Sequence, residues 1–300
     1  MATEFYIGAD PEVFVKKNGK GVSVYETGLP GDKKNPHKTS HGALQQDGFA
    51  AEFNIDPSPA DDFARFNQNI VKTLADLREE INKHGKYNLA IVPTMDFEPE
   101  YMAAQPDHVK ELGCDPDFNA YTMKVNPRPD GDRPFRSGAG HIHGGWGADI
   151  PVDNEDHFEI CAGFVRMLDA TVGLFMTYID RDPRRRELYG KAGAFRPKSY
   201  GVEYRTPSNA WLINTDRRFM VHALFNAAIF LQTNSQSIEG LYGYNETEIE
   251  RIINEGDFEK AQICLDYLTR RGYVDRNASK TWANVKKQMF QVDTVKTIAA

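Results

Sequence analysis

Gly138-Ala139-Gly140-His141-Ile142-His143-Gly144-Gly145-Trp146 is the stretch on which the fold turns. Read as an extended segment, it sends His141 and His143 to one side, because side chains alternate along a strand. The flanking glycines let backbone or ligand approach without meeting a Cβ. Two imidazoles are then presented from the floor of a cleft to a metal or an anion. The other reading is a turn-rich strand edge on which His143 only hydrogen-bonds a carbonyl, and the H-x-H pattern alone does not separate the two.

Working outward, three more segments carry charge where structure alone has little use for it. Residues 3–7 and 12–16 are apolar, β-branched runs separated by Gly8-Ala9-Asp10-Pro11, a turn or bulge signal, with Asp10 and Glu12 at i and i+2. Asp47-Gly48-Phe49-Ala50-Ala51-Glu52-Phe53-Asn54-Ile55 places Phe49, Ala51, Phe53 and Ile55 on one face and Glu52 on the other. Tyr189-Gly-Lys-Ala-Gly-Ala-Phe-Arg196 is followed by Val202-Glu203-Tyr204-Arg205, whose Glu203 and Arg205 share a face.

Carboxylates with one imidazole suit Mg²⁺ or Mn²⁺. Lys191, Arg196 and Arg205 supply cationic donors suited to phosphate or carboxylate. Metal carboxylates beside a cationic cluster are the working parts of phosphoryl transfer. Gly190-Lys-Ala-Gly193 lacks the spacing and the ending of a Walker A loop. Each piece also has a plain structural reading. Asp10-Pro11 can start a turn, Glu12 can be a surface strand residue, and Glu52 can pair with a core arginine. Glu203 and Arg205 can form a cross-strand ion pair. Arg184 to Arg186 fit a helix C-terminus and solvent, and Asp130-Gly-Asp132 lacks the other positions of a calcium loop.

The 300 residues, 40% hydrophobic and 26% charged, describe an ordinary globular chain with enough length for a sizeable core. A net charge of -7 lacks the basic footprint of a nucleic-acid binder. Cys114, Cys161 and Cys264 form no disulfide or zinc pattern, and the latter two read as core thiols. No signal peptide is expected, and no run approaches the roughly 18 apolar residues of a membrane span. The segment 17–46 reads as a long loop or hairpin arm, and 96–137 as loop-rich. Helical patterns cover a stretch opened by Ser58-Pro59 and ended by Gly85, then 155–179, 216–232, 246–255 and 258–272, with a frayed tail. Residues 88–93 read as a short buried strand. A single α+β catalytic domain follows, with the motif-bearing sheet in 1–210 and a helical part in 211–300.

The order of Gly-x-Asp-Pro-Glu, Asp-Gly-x-x-x-Glu, Gly-x-Gly-His-x-His and Tyr-Gly-x-x-Gly-x-x-Arg…Glu-Tyr-Arg resembles the glutamine synthetase-like carboxylate–amine ligases. The nearest branch is the phage-encoded COOH·NH2 ligase type 2 group of the amidoligases. The motifs span residues 8–209. The resemblance implies an antiparallel β-sheet forming an open cleft, helices on its outer face, ATP, and two or more Mg²⁺ (or Mn²⁺) ions. It implies metal ligation by Asp10, Glu12, Glu52, His141 and Glu203, phosphate contacts from Arg196, Arg205 and Lys191, and a substrate-side role for His143. Glu203 is expected as an exposed cleft carboxylate. Asp-Pro-Glu in place of Glu-x-Glu shortens one ligand by a methylene.

The implied activity is ATP-dependent joining of a carboxylate to an amine through an acyl phosphate. The substrates would be small molecules or peptides, in the cytoplasm of a phage-infected bacterium, with a homo-oligomer possible and neither membrane nor nucleic acid as partner. Two other functions share the architecture: a guanidino-kinase-like phosphotransferase and an inactive binding or scaffold protein.

Overall fold

Tyr6–Lys17 is one twelve-residue strand, β1, and the sheet is assembled on both of its edges. The main strands that follow in the chain are β2 (Gly42–Asp47), β3 (Ala50–Ile55), β4 (Gly140–Gly145), β5 (Ala194–Lys198) and β6 (Gly201–Tyr204). Their spatial order is β5-β6-β4-β1-β3-β2, with every neighbouring pair antiparallel. The computed structural model describes residues 4–110, 117–128, 133–147 and 149–298, with side chains to Gln291. Cys114 and Asp130-Gly-Asp132 lie outside the described residues.

The expected break at Gly8-Ala9-Asp10-Pro11 is instead continuous strand. Proline is tolerated because β1 changes partners there. Tyr6 to Pro11 pair with β4, and Glu12 and Val13 pair with β3. Glu12 donates its N–H to Ala139 O on the β4 side. By alternation the Pro11 nitrogen faces the other edge, where pairing starts only at Glu12, so no ladder bond is lost. Alternation also divides the side chains. Ile7, Val13 and Val15 are fully buried in the core, while Asp10, Glu12 and Phe14 line a cleft.

Within 17–46, read as loop, Gly42–Asp47 is a full strand and forms a hairpin with β3 through Gly48-Phe49. Ser58–Pro59 does not open a helix but pairs with Tyr6 and Ile7. The first long helix, α1, is Phe63–Ile81, capped by the Asp62 side chain on Arg65 N. Phe66, Ile70, Leu77 and Ile81 are completely buried, a stripe at 3–4 spacing that lies against β2 and β3. Asn88–Ala90 is a strand on β1, though only half-buried.

The helix α2 (Glu155–Leu168) continues through a π turn at Asp169–Gly173 into α3 (Leu174–Ile179). By length and composition Glu155–Ile179 could cross a membrane, which corrects the expectation that no run approaches that length; 83% of the apolar window is buried inside the fold. It is a core helix. Two more helices close the layer, α4 (Thr215–Thr233) and α5 (Glu246–Glu255), followed by α6 (Phe258–Arg270). The expected frayed tail is a further long helix, α7 (Arg276–Ile298). Its Trp282 is 2% exposed, with its ring 4.8 Å from Tyr178 and 6.2 Å from Phe175. Cys161 and Cys264 are buried thiols, as expected.

Candidate active site

The histidine strand is held from behind by the segment after β6. Gly140 N donates to Pro207 O and Asn209 N to Gly138 O, while Trp211 Nε1 donates to Gly140 O at 3.0 Å. A Cβ on Gly140 would sit 2.2 Å from Ser208 O, so the close approach permitted by glycine is used by backbone. Asn209 Nδ2 reaches Glu12 O at 2.8 Å and ties the same segment to β1. Arg185 anchors it, donating to Thr206 O at 2.7 Å and Pro207 O at 2.8 Å. Arg185 is 3% exposed, which corrects its reading as a solvated helix-end residue.

Register does the rest. Asp10 faces His141, Gly8 faces His143, His143 faces Glu203, and Glu12 faces Glu52. Asp10, His141 and Glu203 form one group of potential metal ligands, and Glu12, Asp47 and Glu52 form a second. Within each group the ligand atoms lie within 4.8 Å of one another. His141 Nδ1 is 3.4 Å from Asp10 Oδ1 and 3.5 Å from Glu203 Oε1. His143 Nε2 is 2.9 Å from the same Asp10 oxygen, and its Nδ1 hydrogen-bonds the Tyr200 hydroxyl.

Electrostatics set the two groups apart. Burial raises the Asp10 pKa, but His143 and His141 overcome it and hold the carboxyl well below its usual range. Burial likewise opposes ionisation of Glu203, and Arg205 reverses it, so Glu203 also sits well below the ordinary value. Glu203 is only 1% exposed. Its oxygens accept from Lys198 Nζ at 2.8 Å, Arg196 Nη1 at 3.1 Å and Arg205 Nη1, and Arg205 Nε reaches Asp117 at 3.1 Å. The expected exposed carboxylate is therefore a buried one ringed by three cations.

In the second group the balance runs the other way. Burial, then Asp47, pushes Glu12 up to about 7. Burial, then Asp10, Asp47 and Glu12, pushes Glu52 well above the carboxylate range. Lys33, 3.2 Å from Asp47, is the cation paired with this group among the described residues. Three carboxylates, Glu52 buried and Glu12 and Asp47 half-buried, are a donor set for a hard divalent ion, which would supply the charge that the protein does not. Both groups fit such an ion. All of these residues face one cavity of about 760 Å³.

Residues 138–272 match the family model described as Phage phiEco32-like COOH.NH2 ligase-type 2. Over these residues, a little under half of the chain, the sequence is similar to that family. No curated protein matches the chain. Among solved structures, a GmaS/ADP complex is similar in fold, with a TM-score of 0.51 at 12% identity, over 97% of this chain and 70% of that one. The cryo-EM structure of Plasmodium falciparum glutamine synthetase aligns over 98% of this chain and 73% of its own, with a TM-score of 0.49 at 10% identity. The fold is glutamine synthetase-like, and the family match supports a carbon–nitrogen ligase. The match takes in the helical region beyond residue 211, where the sequence offered no motif, and leaves out residues 8–137.

This cavity brings together Asp10, Glu12, Glu52, His141, His143, Arg196, Glu203 and Arg205, eight of the nine candidates. Lys191 is exposed and outside the cavity wall, its carbonyl accepting from Thr206 Oγ1. Lys198 stands in the cavity instead. Sequence reasoning also passed over Asp47, Tyr200 and Asp117. Asp47 was legible only as the Asp-Gly of a hairpin turn, and the other two become neighbours of the site through pairing.

Proposed function

We propose that the protein is an ATP-dependent carboxylate–amine ligase working through an acyl phosphate. The observation that carries this reading is a single cavity holding two ligand groups of opposite character. One is all carboxylate, and the other is joined to three cations. Asp10, His141 and Glu203 would hold one divalent ion, and Glu12, Asp47 and Glu52 another. Such ions supply charge neutralisation for nucleotide and substrate oxygens.

A carboxylate is a poor electrophile and needs activation before an amine can displace anything from it. In the proposed route a carboxylate oxygen of the substrate attacks the γ-phosphorus of ATP, and the bond to the β,γ-bridging oxygen breaks, releasing ADP. The amine nitrogen then attacks the acyl carbon, the carbon–oxygen bond to phosphate breaks, and the amine loses a proton. Arg196, Lys198 and Arg205 are the residues that would meet the charge of the transferred phosphoryl group. Asp10 and Tyr200 flank His143 on its two nitrogens and would fix its orientation toward the substrate. A scaffold has no use for buried carboxylates that repel one another, since such groups cost stability.

Hydroxylamine, which accepts acyl groups from acyl phosphates, tests this without knowledge of the amine. Incubation with Mg–ATP and a panel of carboxylic acids should give hydroxamate and ADP in equal amounts. ADP release indifferent to both acid and hydroxylamine contradicts the route. So does phosphate transfer to the amine itself. The protein is expected to act in the cytoplasm of an infected cell, on small-molecule or peptide substrates.

A further inference from the structure

Arg136 is a buried cation that faces no carboxylate among the described residues. It lies in the short strand Phe135–Ser137 and is 5% exposed. Its Nη1 donates to the carbonyls of Arg133 and Phe135, each at 3.0 Å, whereas its Nε has no hydrogen-bond partner. The guanidinium lies over the Phe49 ring, 5.1 Å from the centroid. Burial pulls its pKa down, a sign of how poorly the charge is compensated. A desolvated guanidinium without a counter-ion is costly, and the cost is recovered if an anion enters from outside.

Arg136, Phe49, Phe14 and Val109 all wall the ligase cavity. Their place in it is specific. Phe49 is two residues from Asp47, and Ala139, three residues on from Arg136, donates its N–H to Glu12 Oε2 at 3.0 Å. Three extended residues span at most roughly 10 Å, so Arg136 belongs to the Glu12–Asp47–Glu52 side. Arg196, Lys198 and Arg205 are gathered on Glu203, in the other ligand group. The cavity thus has two cationic ends, one with three cations gathered on Glu203 and one where Lys33 pairs with Asp47 and the Arg136 guanidinium lies beside apolar walls.

We propose that Arg136 recognises the acid substrate, binding a carboxylate group whose apolar body packs on Phe14, Phe49 and Val109. A planar guanidinium matches a carboxylate edge to edge, and the three-cation end is matched to phosphate. The substrate class is therefore an acid with an aliphatic or aromatic body. This assignment rests on the ligase reading, because it takes the two ends as acid and nucleotide sites.

The test is calorimetry on the full chain with Mg–ADP present. The probes are 3-phenylpropionate and octanoate, with 3-phenylpropanamide as the uncharged control. The wild type should bind the acids at least ~10-fold more tightly than the amide, the increment of one charged hydrogen-bonded contact. Arg136→Gln should lose that preference while keeping Mg–ADP affinity, and Arg136→Lys should retain part of it. If Arg136→Gln does not fold, as judged by Mg–ADP binding, Arg136→Lys and protection of wild-type Arg136 from phenylglyoxal by the acids carry the test. Equal binding of acid and amide overturns the assignment, as does undiminished acid binding in Arg136→Gln, or no acid binding to the wild type. Failure of Mg–ADP to bind the wild type strikes the ligase reading instead; acid binding that depends on Arg136 would still stand as an anion site.

Discussion

Glu12 of the central strand lies directly opposite Glu52 of its neighbour, two carboxylates in register across one strand pair and both turned into the cleft. Like charges so placed destabilise a sheet by up to about 1 kcal/mol, and Asp47 adds a third. At a pH high enough to ionise these raised carboxyls, the protein without divalent ion should accordingly gain from removal of one charge. Glu52→Gln is expected to raise the melting temperature in EDTA and to lose most of the stabilisation that Mg²⁺ gives the wild type. Thermal unfolding with and without Mg²⁺ measures both. Equal Mg²⁺ stabilisation of variant and wild type would show that this group holds no ion.

Asp169, in the π turn behind the sheet, is completely buried. It accepts from the Tyr204 hydroxyl, from Tyr121 OH at 3.0 Å and from Gly193 N at 2.6 Å. Burial nevertheless pushes its pKa up to about 7. A carboxyl raised in the folded state contributes stability that is fully present below its unfolded pKa, near 3.8, and is lost as pH rises through about 7. Stability should therefore fall between pH 4 and 8, by on the order of 4 kcal/mol at most. Asp169→Asn should flatten that part of the profile. Urea melts across this range check it, and a variant with an unchanged slope would contradict the account.

Trp282 is expected to matter for folding and not for ligand binding. Trp282→Ala removes a fully buried indole from between α7 and α3, at a cost of roughly 3–5 kcal/mol. Mg–nucleotide affinity well below the melting temperature should be unchanged. A wild-type melting curve for Trp282→Ala would mean that the last helix does not dock as described.

What the sequence disclosed and what it hid follow from the range of the interactions. Alternation and i, i+2 spacing are local, so Asp10/Glu12, His141/His143 and Glu203/Arg205 could be placed on common faces before any pairing was known. Pro11 misled because its local preference for a turn yields to a partner change that only the sheet reveals. Lys198 was passed over for Lys191 because a strand register, not a motif, decides which lysine reaches Glu203. Asp47 was named only as the start of the Glu52 segment, since its role as a ligand depends on Glu12, thirty-five positions earlier in the chain. Arg136 carried no signal, because the lack of a facing carboxylate among the described residues is a property of burial. The tail was misread for the same reason: α7 is weakly patterned and is held by Trp282.

The central claim is that nucleotide binding runs through the Asp10–His141–Glu203 group and the cations around it. Calorimetry of ATP binding, with and without Mg²⁺, on the wild type and on Glu203→Gln tests it most directly. Glu203 neutralises Arg196, Lys198 and Arg205, so its loss should leave metal-free ATP binding as strong or stronger while removing the metal dependence. The account predicts that Mg²⁺ tightens ATP binding to the wild type by ~10-fold or more, a difference of about 1.4 kcal/mol, and changes it little in Glu203→Gln. Wild-type binding indifferent to Mg²⁺, or a variant with the same metal dependence as the wild type, would contradict it.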